Sequence, residues 1–312
     1  MKNIAVLTVL VIISGVYSYA EKSERNYCFS LGPQFGFVYG QALEYVYSLP
    51  EDTKNELLSE LIWEMKPVFY LGLQAEFGRI DLMKAPGFFS SISFKAGISG
   101  DSGVMEDRDW LYPENSNLTR FSSHTNRTGE FFLLDASAGF SFPIKSFLYI
   151  KPFIGGSWMR FAFSGRNGYG VYNDLNPKEQ DFSGEKVITY SQDWLILAIG
   201  FTSGTNILYP FIFDISFQIS PLTYCSATDT HISRNTVFRD FTAWGLFFEP
   251  SLNMSFVVKP VEFSLVFSYR RIGKTRGESY TNANNAGFYL GKNKAGAGLS
   301  LFSSNFLVSI RL

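Results

Sequence analysis

Histidine and cysteine are nearly missing from this sequence, with two of each in 312 residues. That is too few nitrogen and sulfur ligands for a recognisable zinc site, so no metal is expected. Cys28 and Cys225 could pair in an oxidising compartment, and whether they do depends on the fold. An excess of either charge is also lacking. The 27 basic and 28 acidic residues nearly cancel, which removes the basic surface a nucleic-acid binder requires. Beyond residue 20 no stretch approaches the ~18 consecutive apolar residues of a membrane helix, so a helical bundle in the membrane is excluded. What the chain does have is aromatic: 17% of it is Phe, Trp or Tyr, with 32 Phe, and 46% is apolar, which excludes disorder.

The one long apolar run lies at the start. Lys2 supplies a charged end, Ile4 to Val16 the apolar stretch, and Ser18-Tyr19-Ala20 a small-residue cleavage pattern. This predicts a secretory leader over 1–20 and a mature domain over 21–312. Cys28 has no small, apolar run before it, so lipidation is not expected.

Alternation with period two dominates the rest. Tyr209, Phe211, Phe213, Ile215, Phe217 and Ile219 alternate with Pro210, Ile212, Asp214, Ser216, Gln218 and Ser220. The pattern recurs from Phe132 to Phe142, from Ile92 to Ile98, from Phe263 to Tyr269 and from Phe306 to Leu312. Periodicity alone fits a soluble sandwich as well as an inverted barrel. Aromatic-rich apolar faces, strands of roughly 15–20 residues, the leader and an apolar terminal strand favour a transmembrane outer-membrane β-barrel. Its lumen would accept Lys95, Asp135, Asp214 and Arg270.

The fold class read from the sequence is all-β, an antiparallel barrel of ten strands: 27–48, 57–77, 88–109, 128–142, 147–170, 187–203, 207–226, 234–258, 261–282 and 287–312. Connections at 78–87, 143–146, 204–206 and 259–260 are mostly tight, and those at 49–56, 110–127, 171–186 and 227–233 longer and more polar. Tight turns belong on the periplasmic side, so strands one, three and seven end outside. Cys28 and Cys225 then lie at opposite ends and are not expected to bond.

Two motifs sit at those exterior ends. In Asp107-Arg108-Asp109-Trp110 the carboxylates at i and i+2 share a strand face and influence each other's ionisation. Extending the parity of Lys95 and Ser99 turns both inward. In Asp229-Thr230-His231 a carboxylate and an imidazole share a face, so Asp229 can fix the tautomer of His231. The parity of 211–219 would turn this pair outward, but Leu222 and Tyr224 look outward too. A proline-marked bulge at Ser220-Pro221 is therefore predicted to turn Asp229 and His231 inward. Strands three and seven face each other in such a barrel, so the two pairs should meet over a cleft.

At this point the chain resembles a known family, the omptins, ten-strand outer-membrane proteases. The resemblance rests on Gly40-Gln41-Ala42-Leu43-Glu44-Tyr45-Val46-Tyr47 and Trp63, Met105 to Trp110, and Ser122-Ser123-His124. It continues through Gly184-Glu185-Lys186 with Tyr190 and Gln192, Asp229-Thr230-His231, and Gly296-Ala297-Gly298. Their order along the chain makes the match specific. The resemblance implies an endopeptidase with Asp107, Asp109, Asp229 and His231 as catalytic groups, acting through a water rather than an acyl-enzyme. It implies recognition of a basic residue by two acids, one matching Glu44 and the other falling at Ala227, so a strict dibasic preference is not expected. Ser122 and His124 match the family's second exterior loop and are read as supporting residues.

No organic cofactor is implied. The family's dependence on lipopolysaccharide implies an outer-membrane lipid or similar glycolipid as partner, with Arg160, Lys274 and Arg276 as contributors. Exposed polypeptides are the expected substrates, and a monomer the expected form. Gly100-Asp101-Ser102-Gly103 imitates a serine-protease nucleophile loop, but both histidines follow it. Gly165, Gly168 and Gly170 open no helix, which sets a nucleotide site aside. The rival functions are a non-catalytic barrel acting as adhesin or host-protein binder, and a solute pore.

Overall fold

The computed structural model describes residues 27–48, 57–79, 83–112, 117–284 and 286–312; the expected leader over 1–20 lies outside them. The long strands are β1 (Tyr27–Tyr47), β2 (Leu57–Arg79), β3 (Gly87–Gly97), β4 (Gly100–Asp109), β5 (Arg120–Lys145) and β6 (Leu148–Tyr172). After a short β7 (Glu179–Asp181) come β8 (Lys186–Thr205), β9 (Phe211–His231), β10 (Thr236–Ala243) and β11 (Phe247–Val258). The sheet is completed by β12 (Val261–Ile272), β13 (Arg276–Ala283) and β14 (Tyr289–Arg311). Each pairs antiparallel with its neighbours, and β1 pairs with β14 from Ser30↔Arg311 to Val46↔Ala295, which closes the ring. Closure leaves no sheet edge, the condition for a β-sheet to stand in lipid.

Three of the expected strands are each broken once: β3 from β4 at Ile98–Ser99, β10 from β11 at Trp244–Leu246, and β12 from β13 at Gly273–Thr275. Counted as continuous staves, the described residues give the ten expected, with β7 a flap on β6.

Apolar side chains point out of the ring. Phe211, Ile215 and Ile219 on β9, Phe69, Leu71 and Leu73 on β2, and Leu195, Leu197, Ile199 and Phe201 on β8 are all exposed. No water-soluble protein tolerates such a belt, and it is the surface a bilayer covers. Strands of 21 to 26 residues rise roughly 70–85 Å along their length at ~3.3 Å per residue, more than a belt ~25 Å tall needs. The barrel therefore projects beyond the membrane at the end away from its tight turns.

This projection corrects one expected boundary. β5 begins at Arg120, not at 128, so Ser122 and His124 lie in a strand and not in a loop. Ser122, His124, Asn126 and Thr128 alternate inward and are buried, while Phe121, Ser123, Thr125 and Arg127 face out. Above the bilayer the outer face meets water, so an apolar period is not imposed there. For the same reason β9 runs as strand through His231, where a loop from 227 was expected.

The lumen is filled rather than open at this level. Trp63 stacks on Phe163 and Tyr190 at centroid separations of 5.6 and 5.4 Å, and Met105, Met159, Phe131, Phe161 and Trp194 complete a buried plug. Deeper in the barrel Arg270 bonds Asp135 at 3.1 Å and Glu249 at 2.7 Å, as lumen charges must when they leave water. Cys28 and Cys225 are both free thiols.

Candidate active site

Asp107 and Asp109 lie at the projecting end of β4. Asp107 is registered with Leu61 on β2 and Ser122 on β5, and Asp109 with Ser59 and Arg120. Both point inward, as the parity of Lys95 predicts, but by a different route. Ile98 and Asp101 face outward, Ser102 inward, Val104 outward and Met105 inward. The strand therefore changes face twice, once at the 98–99 break and once at a bulge containing Gly103, whose φ is +100°. The two changes cancel.

Asp229 and His231 reach the same mouth from β9. Leu197 pairs with Leu222 and Ile199 with Ile219, so Ala198 alone opposes Ser220 and Pro221. This is the predicted bulge, and beyond it Thr223, Cys225, Ala227 and Asp229 are buried. Asp229 Oδ2 lies 2.7 Å from His231 Nε2, with Asp229 2% exposed.

All four groups stand beyond the apolar belt, which ends on β9 at Tyr224. Burial pushes the Asp107 carboxyl up to about 7, the charge on Asp109 adds to the rise, and His231 and Arg234 oppose it. Burial likewise raises Asp109, against the Ser59 hydroxyl, Arg234, Arg120 and His231. The Ser59 hydroxyl sits between the acids and donates to Asp107 Oδ1 at 3.3 Å. His231 and Asp229 both act on the Asp107 carboxyl, which puts the acidic pair and the Asp229–His231 pair within electrostatic reach of each other at one mouth. Glu44 on β1 belongs to the same mouth: it is buried, and burial together with Asp229, Asp240 and Asp107 holds its carboxyl well above the usual range.

Residues 25–311 match the omptin family. The chain belongs to that family. It is 24% identical to the plasminogen activator of Yersinia pestis over all of this chain and 98% of that one. It is 25% identical to the outer membrane protease IcsP of Shigella flexneri over 78% of this chain and 77% of that one. The crystal structure of the outer membrane protease OmpT from Escherichia coli superposes with a TM-score of 0.79 at 17% identity, covering 91% of this chain and 97% of that chain. The barrel is thus a bacterial outer-membrane protein of a protease family.

In this omptin Ser122, the register partner of Asp107, is hydrogen-bonded to His124. His124 Nδ1–H donates to the Asn167 carbonyl at 2.5 Å, leaving Nε2 to accept from the Ser122 hydroxyl at 3.0 Å. Burial raises the Tyr172 hydroxyl, Asp107 adds to the rise and Ser122 opposes it, so this ring stands within reach of both. Burial lowers the His124 pKa, which keeps the ring neutral and its tautomer set. The irregularity in β6 that supplies Asn167 depends on Gly168, with φ +97°, where a Cβ would stand 1.9 Å from the Ser123 carbonyl oxygen. Gly168→Ala should therefore lower the melting temperature clearly, by pushing β6 off β5, and a thermal scan in detergent checks this.

Sequence reasoning missed Arg234. It sits in the turn after β9 and its guanidinium bonds His231 Nδ1. Guanidinium only donates, so Nδ1 accepts and the ring proton is on Nε2, given to Asp229. A residue in an exterior turn carries no periodic signal that would have revealed this. Asp240 was missed too, although Asp240 and Thr242 alternate inward against exposed Arg239 and Phe241.

Arg160, Lys274 and Arg276 are not gathered into one cluster. Arg160 on β6 is held by Glu130 and Asp193, each at 2.6 Å, whereas Lys274 and Arg276 lie over Tyr45 and Tyr47 on the far side of the ring.

Proposed function

We propose that this barrel is an endopeptidase that cleaves exposed polypeptides near basic residues with a water activated between Asp107–Asp109 and His231–Asp229. The observation that supports the reading is the electrostatic reach between these two pairs at one exterior mouth, with His231 Nε2 given to Asp229 at 2.7 Å. The ionised acidic pair accepts a hydrogen bond from the water, and His231 Nδ1 takes its other proton as the oxygen adds to the scissile carbonyl carbon. The C–N bond then breaks and the leaving nitrogen takes the proton from His231. Arg234 must leave Nδ1 for the water to occupy it. Glu44 is assigned to the basic side chain of the substrate, and a lipopolysaccharide or similar glycolipid to the activation of a monomeric barrel exported by its 1–20 leader.

The test is cleavage of a fluorogenic peptide library by refolded protein in lipopolysaccharide-containing micelles, against His231→Ala and Asp107→Ala. Cleavage abolished in both variants supports the peptidase. Absence of cleavage by a folded parent overturns it in favour of a non-catalytic binder, the reading that Ala227 favours. A solute pore is opposed by the aromatic plug around Trp63.

The pH dependence has a definite sign. Asp107, raised to about 7, keeps its proton below that pH, so kcat/KM should climb as pH rises through 7. Asp109→Asn removes the like charge and should move this limb to lower pH. Arg234→Ala removes a cation that lowers both acids and should move it to higher pH. A limb that stays put in both variants would detach Asp107 from the rate.

A further inference from the structure

The family resemblance puts the second pocket acid at 227, where this chain has alanine. Ala227 is registered with Asp240 on β10, on its other side with Gln192 on β8, and all three are buried. Cross-strand partners share a face of the sheet with their Cα atoms ~4.5–5.5 Å apart. An acid moved from 227 to 240 therefore still points into the same space, displaced by one strand spacing.

Asp240 and Glu44 share an unusual condition. Each is at least nine-tenths buried, and Glu44 Oε2 and Asp240 Oδ1 have no hydrogen-bond partner. No basic side chain among the described residues forms an ion pair with either. The strongest charges acting on Glu44 are carboxylates, Asp240 among them. In the ring between the two acids lie β13 and β14, whose inward residues there are the small Ser279, Ala295 and Ala297. Buried, unpaired carboxylates are costly unless a cation arrives to satisfy them.

We infer that Asp240 and Glu44 together form the binding floor for a guanidinium or ammonium side chain, Asp240 standing in for the carboxylate absent at 227. Its oxygen accepts from the bound cation beside Ser279, the register partner of Asp240 on β13. Gln192 braces the opposite wall, donating to the Leu43 carbonyl at 2.8 Å and so fixing the backbone beside Glu44. This inference rests on the peptidase reading for its substrate, but the pocket itself is testable without catalysis.

Two measurements separate the ideas. With matched peptides carrying arginine or its neutral isostere citrulline before the cut, the ratio of kcat/KM should fall about 10- to 10²-fold in Asp240→Asn. The double variant Ala227→Asp/Asp240→Ala should restore it. A ratio unchanged in folded Asp240→Asn, or equal loss on both peptides, would overturn the assignment. Independently, benzamidine should raise the melting temperature of His231→Ala, and Asp240→Asn in that background should abolish the rise. If the parent cleaves no peptide yet benzamidine binds through Asp240, the pocket stands and the peptidase reading falls. If peptides are cleaved but benzamidine stabilises both proteins equally, the pocket assignment falls alone.

Discussion

His231→Ala should lower kcat by about 10²–10⁴-fold, the usual contribution of a positioned general base, while leaving a folded barrel. The side chain stands at the rim of the mouth, touching Asp229, Arg234 and the edge of Phe238, and contributes nothing to the buried plug. Loss of the imidazole therefore removes the proton acceptor without opening a cavity. Burst and steady-state rates on a fluorogenic peptide, read beside heat-modifiable migration and a thermal scan, separate chemistry from folding. Cleavage within tenfold of the parent in a folded His231→Ala would sink the mechanism. No acyl-enzyme burst is expected, because water is the nucleophile.

Trp63→Ala should have the largest effect on stability, costing about 3–5 kcal/mol. The indole is fully buried and lies between Phe163 and Tyr190, so its removal empties the centre of the plug. The loss also reaches the site. Tyr190 accepts from Gln192 at 2.8 Å, and the same amide holds the Leu43 carbonyl beside Glu44. A lowered urea midpoint accompanied by a raised KM is the expected pair of readings, with Trp63→Phe recovering most of both. An unchanged midpoint would mean that the plug does not hold the projecting part together.

The strands were legible wherever lipid lies outside them, because a bilayer demands an apolar residue at every second position. Phe211 to Ile219 and Phe132 to Phe142 show this plainly. Where water lies outside, as from Arg120 to Arg127, the demand lapses and the sequence carries no strand period. The bulge at Ser220–Pro221 was legible because outward residues flank it on both sides. The double change of face between Ile98 and Met105 was not, since an even number of changes restores the expected parity.

By itself the sequence determined an all-β chain with one lipid-facing side and two acidic motifs at strand ends. These follow from local rules, the two-residue period and the spacing of carboxylates along a strand. Only the closed tertiary structure decided what those motifs touch. Arg234 on His231 depends on the shape of a turn, and Asp240 beside Ala227 on the register of β9 against β10. The approach of Glu44 to both depends on β1 meeting β14. Register across a ring accumulates every bulge in every strand between two residues, and no local pattern encodes that sum.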